Sequence, residues 1–329
     1  MSKIKGTTMI LTVDQSKDHN AWLAARSKGI GGSDAGVIMG SNPWKSPYQL
    51  WLEKTGQVEP EDISQKDAVY WGTVLEPLVA KRFSEVTGKK VERCGTLQNN
   101  ESPWMLANID RLVLGEGAGL EIKTTNAFRS GEWDGDQLPD SYYWQCQHYM
   151  MTTGLPLWYI AVLIGGQDFR WKAIPRNEED IKELFLREEE FWNVNVLQHV
   201  MPGIDGSDCT RDALKEQYPG GDLEELELTG DADLLLYERQ DLMEHLTDYK
   251  EKLQFTDNKL KALLGNHELA TTPQGIRITY KTQAGRATID RKKLEKEWPD
   301  IYEQVVKIGK PTRVLRFKAP KEDDSNGND

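Results

Sequence analysis

The sequence is short of several residue types, and each shortage excludes something. Only three of its 329 residues are cysteine. Cys94, Cys146 and Cys209 lie far apart, which is neither a disulfide framework nor a zinc-ligand spacing and suits a reducing compartment. The five histidines are scattered, with no pair at i, i+4. No apolar run approaches membrane-spanning length, and the first residues, MSKIKGTTMILTV, lack a long apolar stretch and a cleavage site. A soluble cytoplasmic protein with no membrane partner is the expectation. Positive charge is also in deficit. There are 41 Lys and Arg against 53 Asp and Glu, a net charge of −12. Taken alone, that argues against a nucleic-acid partner. But net charge is a sum, and an acidic outer surface can coexist with a local basic channel.

What is present suffices for a sizeable core: 38% hydrophobic residues and eleven Trp. The length predicts a main domain with an accessory one. Residues 14–95 read as helical, ending in a long helix over Asp67–Thr87, where Val69, Tyr70, Leu75, Leu78, Val79 and Phe83 recur at helical spacing and Gly88 fits a C-terminal cap. Residues 89–125 read as strands: KKVERCGTLQ, WMLANIDRLVL, a turn GEGAG, and GLEIKTT. A helix over 141–153, two strands (LWYIAVLIGG and DFRWKAI) and a helix from Glu178 to about Val200 follow. The fold class is α+β, a central mixed sheet flanked by helices. Domain boundaries are expected at 1–200 for the main domain, 201–222 for a Gly-, Pro- and Asp-rich linker, 223–318 for an accessory C-terminal region, and 319–329 for a disordered acidic tail.

The hairpin NIDRLVLGEGAGLEIKTT raises the chemical question. Charges inside an apolar strand are unfavourable unless something pairs with them. Residues i and i+2 of a strand share a face, so Glu121 and Lys123 project together while Leu120 and Ile122 pack on the other side. Asp110, across the turn, can face Glu121. Two converging carboxylates with a free carbonyl between them suit a hard divalent cation such as Mg²⁺. A lysine beside them can position or deprotonate a water, or neutralise developing phosphate charge. A lone E-x-K reads first as an exposed cross-strand Glu–Lys pair with Asp110 in a turn; the apolar setting and three further segments weigh against that.

In YWGTVLEPLVAKRF, Glu76 lies on the helix before the sheet and is either a solvated residue or a further carboxylate aimed at the site. GIGGSD follows a helix-like segment, not a strand, so a dinucleotide fingerprint is rejected. Ser33 instead fits the N-cap of a helix starting near Asp34, a place where exposed amides bind phosphate. Arg26 lies just upstream as a bidentate clamp. In SYYWQCQHYMMTTG, Gln145 and Gln147 are two apart on one helix, so they cannot both face one site. His148 reads as structural, since no second His has metal spacing.

The order W-x-x-x-R…G-G-S-D, W-G-x-x-x-E-P, I-D…L-E-I-K, Y-x-x-Q-x-Q-x-x-M resembles the lambda-exonuclease/YqaJ-like viral recombinase family of the PD-(D/E)XK nuclease superfamily. The resemblance covers about residues 18–200, with Ile109 standing where the superfamily motif has Pro. It implies a restriction-endonuclease-like core with a helical/α+β C-terminal extension. It implies Asp110, Glu121 and the Ile122 carbonyl as ligands of Mg²⁺ or Mn²⁺. Lys123 would orient the attacking water, Glu76 would complete the site, and Gln145 would be the site glutamine. Arg26 and Ser33 would form a 5′-phosphate pocket. The implied activity is metal-dependent 5′-to-3′ exonucleolysis of linear duplex DNA, leaving 3′ single strands for phage-type recombination. The implied partners are duplex DNA ends, a single-strand annealing protein, and further copies of the chain in a ring trimer, in a bacterial host cell. A structure-selective or site-acting endonuclease on the same core is one alternative. A catalytically idle DNA-end-binding recombination scaffold is another.

The C-terminal third carries no assignable chemistry. Its long helix, Asp231 to about Leu264, has a leucine stripe read as intramolecular packing, because only part of it keeps a heptad. Arg277, Lys281, Arg286, Arg291, Lys292 and Lys293 read as a solvated basic face. GIRITYKTQAGRATID reads as a hairpin, RKKLEKEWPDIYEQVVK as a helix and TRVLRFK as a last strand.

Overall fold

The computed structural model describes residues 4–317 apart from 61, 64, 222, 223 and 310–312. The chain divides into two compact units, Met1–Pro219 and Gly220–Asp329.

The first unit opens with strand β1 (Thr7–Leu11), helix α1 (His19–Arg26), the short strand β2 (Ile30–Gly31), then helices α2 (Gly32–Ile38), α3 (Pro47–Lys54) and α4 (Asp67–Thr87). Strands β3 (Val91–Glu92), β4 (Thr96–Asn99), β5 (Met105–Asn108), β6 (Arg111–Val113) and β7 (Ala118–Thr125) follow. Helix α5 (Asp140–Thr153), strands β8 (Leu157–Ile164) and β9 (Asp168–Pro175), and helices α6 (Glu178–Glu190) and α7 (Asp208–Gln217) complete it. Local chemistry sets the helix ends. The Asp18 carboxylate accepts from the Asn20 and Ala21 amides at the start of α1, and Gly88 closes α4 at φ +73°, a conformation that favours glycine.

Two sheets form. One has the order β1-β4-β5-β2, the other β3-β6-β7-β8-β9. In the larger sheet β7 runs antiparallel to β6 and parallel to β8, with α5 as the crossover. This is the mixed central sheet flanked by helices expected of a restriction-endonuclease-like core. Helix α4 packs Val79, Ala80 and Phe83 on one face of β7 and β8, with Leu120, Ile122, Tyr159 and Ala161. On the other face Trp158, Ile160 and Val162 meet Cys146, Tyr149 and Met150 of α5. Gly119 is required here, because a Cβ would lie 2.2 Å from the Trp158 ring.

Several expectations are corrected. KKVERCGTLQ and WMLANIDRLVL are not single strands; each breaks and supplies one strand to each sheet. The helix from Glu178 stops as a regular α-helix at Glu190 and continues as π-helical turns over Phe191–Val196. The stretch read as a linker contains α7, whose Thr210 and Ala213 are buried. Strand β1 was not anticipated, since TTMIL is too short to declare a period.

The second unit holds helix α8 (Gly230–Leu264), a hairpin of β10 (Leu269–Thr271) and β11 (Arg277–Thr279), and helices α9 (Arg291–Glu297) and α10 (Pro299–Val305). The hairpin therefore starts earlier than GIRITYKTQAGRATID suggested. The helix expected over 291–307 is two, divided at Trp298, because Pro299 occupies the first turn of α10. Residues 313–317 of the expected last strand form no strand; Thr312, Lys318 and the acidic tail lie outside the described residues. The α8 stripe is not covered: Leu235 is 66% exposed, Tyr249 65% and Leu253 63%. The expected packing is not made among the described residues of its own unit.

Candidate active site

The break in WMLANIDRLVL is what makes the site. β5 ends at Asn108 in one sheet and β6 begins at Arg111 in the other, so Asp110 belongs to neither ladder. Pairing of β6 with β7 stops at Arg111 opposite Leu120. Beyond it, the Ile122 amide donates to the Asp110 carboxylate Oδ2 at 2.8 Å. A residue's N–H and C=O point to the same side of a strand. The Ile122 carbonyl therefore also faces the gap where the two strands part.

Glu121 is buried and its two oxygens are treated unequally. Oε1 receives the Lys123 ammonium at 2.6 Å and the Gln145 amide at 2.8 Å. Oε2 is buried without a hydrogen-bond partner. Withdrawal from water, then the Glu121 and Glu76 charges, push the Asp110 carboxyl well above its ordinary value. Burial also raises Glu121, with Lys123 opposing. Burial disfavours the Lys123 ammonium, yet Glu121 and Asp110 more than offset this and hold it above the usual lysine range. Lys123 is thus protonated at neutral pH, and its Nζ lies 4.7 Å from the Tyr142 ring centroid.

Gln145 is the member of the glutamine pair that reaches this cluster. Its Nε2 also donates to the Tyr149 hydroxyl at 2.9 Å, which donates to the Asn108 carbonyl at 2.8 Å. Gln147 bonds instead to Pro175 O and the Asn177 amide. Glu76 on α4 is held by Arg111, Nη1 to Oε1 at 2.5 Å, and the same nitrogen donates to the Asp110 carbonyl at 2.6 Å. Glu76 therefore borders the carboxylate pair through Arg111.

The structure brings Arg26 and Ser33 together: Arg26 Nη2 lies 2.6 Å from Ser33 Oγ. The N-cap, however, is Gly31, not Ser33, because the helix starts two residues early at Gly32. The anchor is Asp34, buried, which accepts from Arg26 at 2.9 Å, pairs with Lys54 at 2.9 Å and accepts from the Gly31 amide at 3.1 Å. Burial would raise Asp34, but Lys54 and Arg26 hold it far below the usual carboxylate range. The glycines of GIGGSD serve packing. A Cβ on Gly32 would lie 2.5 Å from the Tyr149 ring and 3.1 Å from Gln145 Cγ, and one on Gly36 would lie 2.9 Å from Ser141. This close approach of α2 to α5 fixes the Gln145–Tyr149 pair.

A family model of the YqaJ-like viral recombinase domain matches residues 21–156. The uncharacterized protein YqaJ of Bacillus subtilis (strain 168) is 40% identical over 317 residues, spanning 94% of this chain and 96% of that protein. The chain belongs to the YqaJ-like viral recombinase domain family. Among solved structures it is similar to an alkaline exonuclease (LHK-Exo) from Laribacter hongkongensis, at TM-score 0.47 and 23% identity over 52% of this chain and 90% of that one. The complex of LHK-Exo with dAMP aligns at TM-score 0.49 and 21% identity, over 60% and 97%. A phage related exonuclease from Haemophilus somnus 129PT aligns at 0.39 and 12%, over 52% and 96%.

All eight site positions picked from the sequence fall inside the span of this YqaJ-like domain. The reading missed Tyr149, Arg111, Asp34, Lys54 and Tyr142. Asp34 was visible in GGSD as an acid beside a helix start, but its partners Lys54 and Arg26 lie 20 and 8 residues away and meet it only in the fold. His148 is buried with its ring nitrogens 2.8 Å from Glu188 and 2.9 Å from the Leu106 carbonyl, as a structural residue should be.

The fit to a divalent cation can be judged from these atoms. Among the described residues no three His, Cys, Asp or Glu side chains gather as a metal set. The donors would be the carboxylates of Asp110 and Glu121 and the Ile122 carbonyl. An orphaned buried oxygen on Glu121, two mutually repelling carboxyls and all-oxygen chemistry fit a hard cation.

Proposed function

We propose that this family member is a metal-dependent deoxyribonuclease that degrades one strand of linear duplex DNA from its 5′ end and leaves a 3′ single strand for recombination. The observation that carries this reading is the buried Glu121 oxygen without a partner, in a site shared with the Asp110 carboxylate and the Lys123 ammonium. Two carboxylates crowded together in a dry site raise the protein's energy, which is reasonable only if a ligand relieves it. Mg²⁺ held by Asp110, Glu121 and the Ile122 carbonyl, or Mn²⁺ with the same donors, would supply Lewis-acid stabilisation of the phosphoryl oxygens.

The chain's own groups do the rest. Lys123 donates hydrogen bonds to the incoming water and neutralises charge growing on the phosphate. Gln145 holds Glu121 in place from behind. The water oxygen bonds to phosphorus, the P–O3′ bond breaks, and the 3′ oxygen takes up a proton. The shortened strand then carries a new 5′-phosphate, which Arg26 and Ser33 are suited to take up. A single-strand annealing protein, a ring of three copies around the DNA and a bacterial cytoplasm invaded by phage complete the proposal. In such a ring the net charge of −12 would lie on the outside, with basic side chains needed only along the channel.

The test incubates the protein with Mg²⁺ and 5′-phosphorylated linear duplex labelled at either end, beside a covalently closed circle and Lys123→Ala. Mononucleotides from 5′ ends, with circle and variant inert, support the proposal. A nicked circle would replace it with an endonuclease. Linear DNA bound but uncut would replace it with an end-binding scaffold.

A further inference from the structure

The leucine stripe of α8 is the largest feature that the proposed activity leaves unused. Helix α8 runs 35 residues, about 52 Å. Along it Leu235, Leu242, Leu246, Tyr249, Leu253, Leu260 and Leu263 are 40–85% exposed. Their spacing alternates four and three from Leu242 to Leu263 once Thr256 is included, the a/d rhythm of a coiled coil. In that frame the a positions are Ala232, Arg239, Leu246, Leu253 and Leu260. The d positions are Leu235, Leu242, Tyr249, Thr256 and Leu263. A single amphipathic helix of this length does not leave such a seam in water without a partner.

We infer that α8 pairs with α8 of a second copy of this chain as an antiparallel two-stranded coiled coil. Charge gives the direction. Residues 230–248 carry six acids and one arginine, whereas residues 249–264 carry four lysines and two acids. Antiparallel pairing sets each acidic half against a basic half; parallel pairing sets acid on acid. The seam gives the register. Antiparallel layers match an a residue with a d residue of the second copy, and one register pairs Ala232 with Leu263, Leu235 with Leu260, Leu242 with Leu253 and Leu246 with Tyr249. In this register the two polar seam residues, Arg239 and Thr256, share one layer. A parallel in-register pair would instead place Arg239 against Arg239. Polar seam residues that match only in one alignment specify orientation. Arg239 also lies over the Phe317 ring of its own chain, 4.5 Å from its centroid. At the flank, Glu238 and Lys259, both g positions, lie on opposite helices only two residues out of level and can form an ion pair, twice by symmetry.

The full chain is measured by sedimentation at micromolar concentration beside Leu242→Asp/Leu253→Asp. These side chains are exposed within one copy, so circular dichroism of the variant should keep its folded signature. The expected result is an assembly with an even number of chains whose mass falls twofold in the variant. Glu238→Lys should weaken the assembly and Lys259→Glu, added to it, should restore it. Direction is read by oxidising a mixture of Leu242→Cys and Leu253→Cys chains: an antiparallel pair links unlike chains, a parallel pair links like ones. A mass unchanged by the Asp variant would overturn the inference, whether because α8 folds back on its own chain or because it serves a different protein. Like-with-like crosslinks would overturn the antiparallel direction.

Discussion

Asp34 and Asp110 are both aspartates withdrawn from water, and the protein treats them in opposite ways. Asp34 is supplied with a lysine, an arginine and a backbone amide, and its carboxyl is held far below the ordinary range. Asp110 receives one backbone amide, while Glu121 and Glu76 repel it and its carboxyl is held well above that range. A buried acid with full pairing belongs to the scaffold. A poorly paired acid beside a second carboxylate is costly to keep, which is the mark of a candidate functional site.

That contrast can be broken by exchange. Asp110→Asn should lower nuclease activity by roughly 10³-fold, as loss of a principal electrostatic group does, measured as nucleotide release from linear duplex. Asp34→Asn should act on folding first, costing about 3–5 kcal/mol because Lys54 remains buried without its anion; urea denaturation checks this. Gly32→Ala drives a methyl into the Tyr149 ring and should cost about 1–3 kcal/mol by overpacking, with Gln145 displaced and activity reduced as well. Without divalent cations, Asp110→Asn should be more stable than the parent chain by about 1 kcal/mol, since it removes repulsion. Added Mg²⁺ should raise the melting temperature of the parent and not of this variant.

The smallest effect separates the two aspartates by pH. The folded value of Asp34 is depressed, so its contribution is full above about pH 4 and is lost as pH falls through the folded value. The folded value of Asp110 is raised, so in chelator the parent's disadvantage against Asp110→Asn grows from about pH 4 up to that folded value and is then constant. Denaturation midpoints across a pH series for the two variants should therefore diverge in opposite senses. Parallel curves would remove the distinction between scaffold acid and site acid.

Much of the core could be read from local pattern. Helix α4 declares itself by apolar spacing and its glycine stop, and GLEIKTT by alternation around a charged pair, because both signals repeat within a few residues. Glu121 and Lys123 stood out for the same reason, since a charge on an apolar strand is anomalous in one dimension, whereas the choice of Gln145 over Gln147 came from the family resemblance alone. Neither the strand break at Asp110, which opens the gap at Ile122, nor the Asp34–Lys54–Arg26 anchor nor the Gly32 contact with Tyr149 has such a signal. Each depends on segments distant along the chain arriving together. The sequence by itself determined which residues would have to be reconciled with an apolar interior. Only the tertiary structure decided which acids received partners and which were left wanting one, because hydrogen-bond satisfaction and charge pairing are properties of atoms within a few ångströms, whatever their distance along the chain.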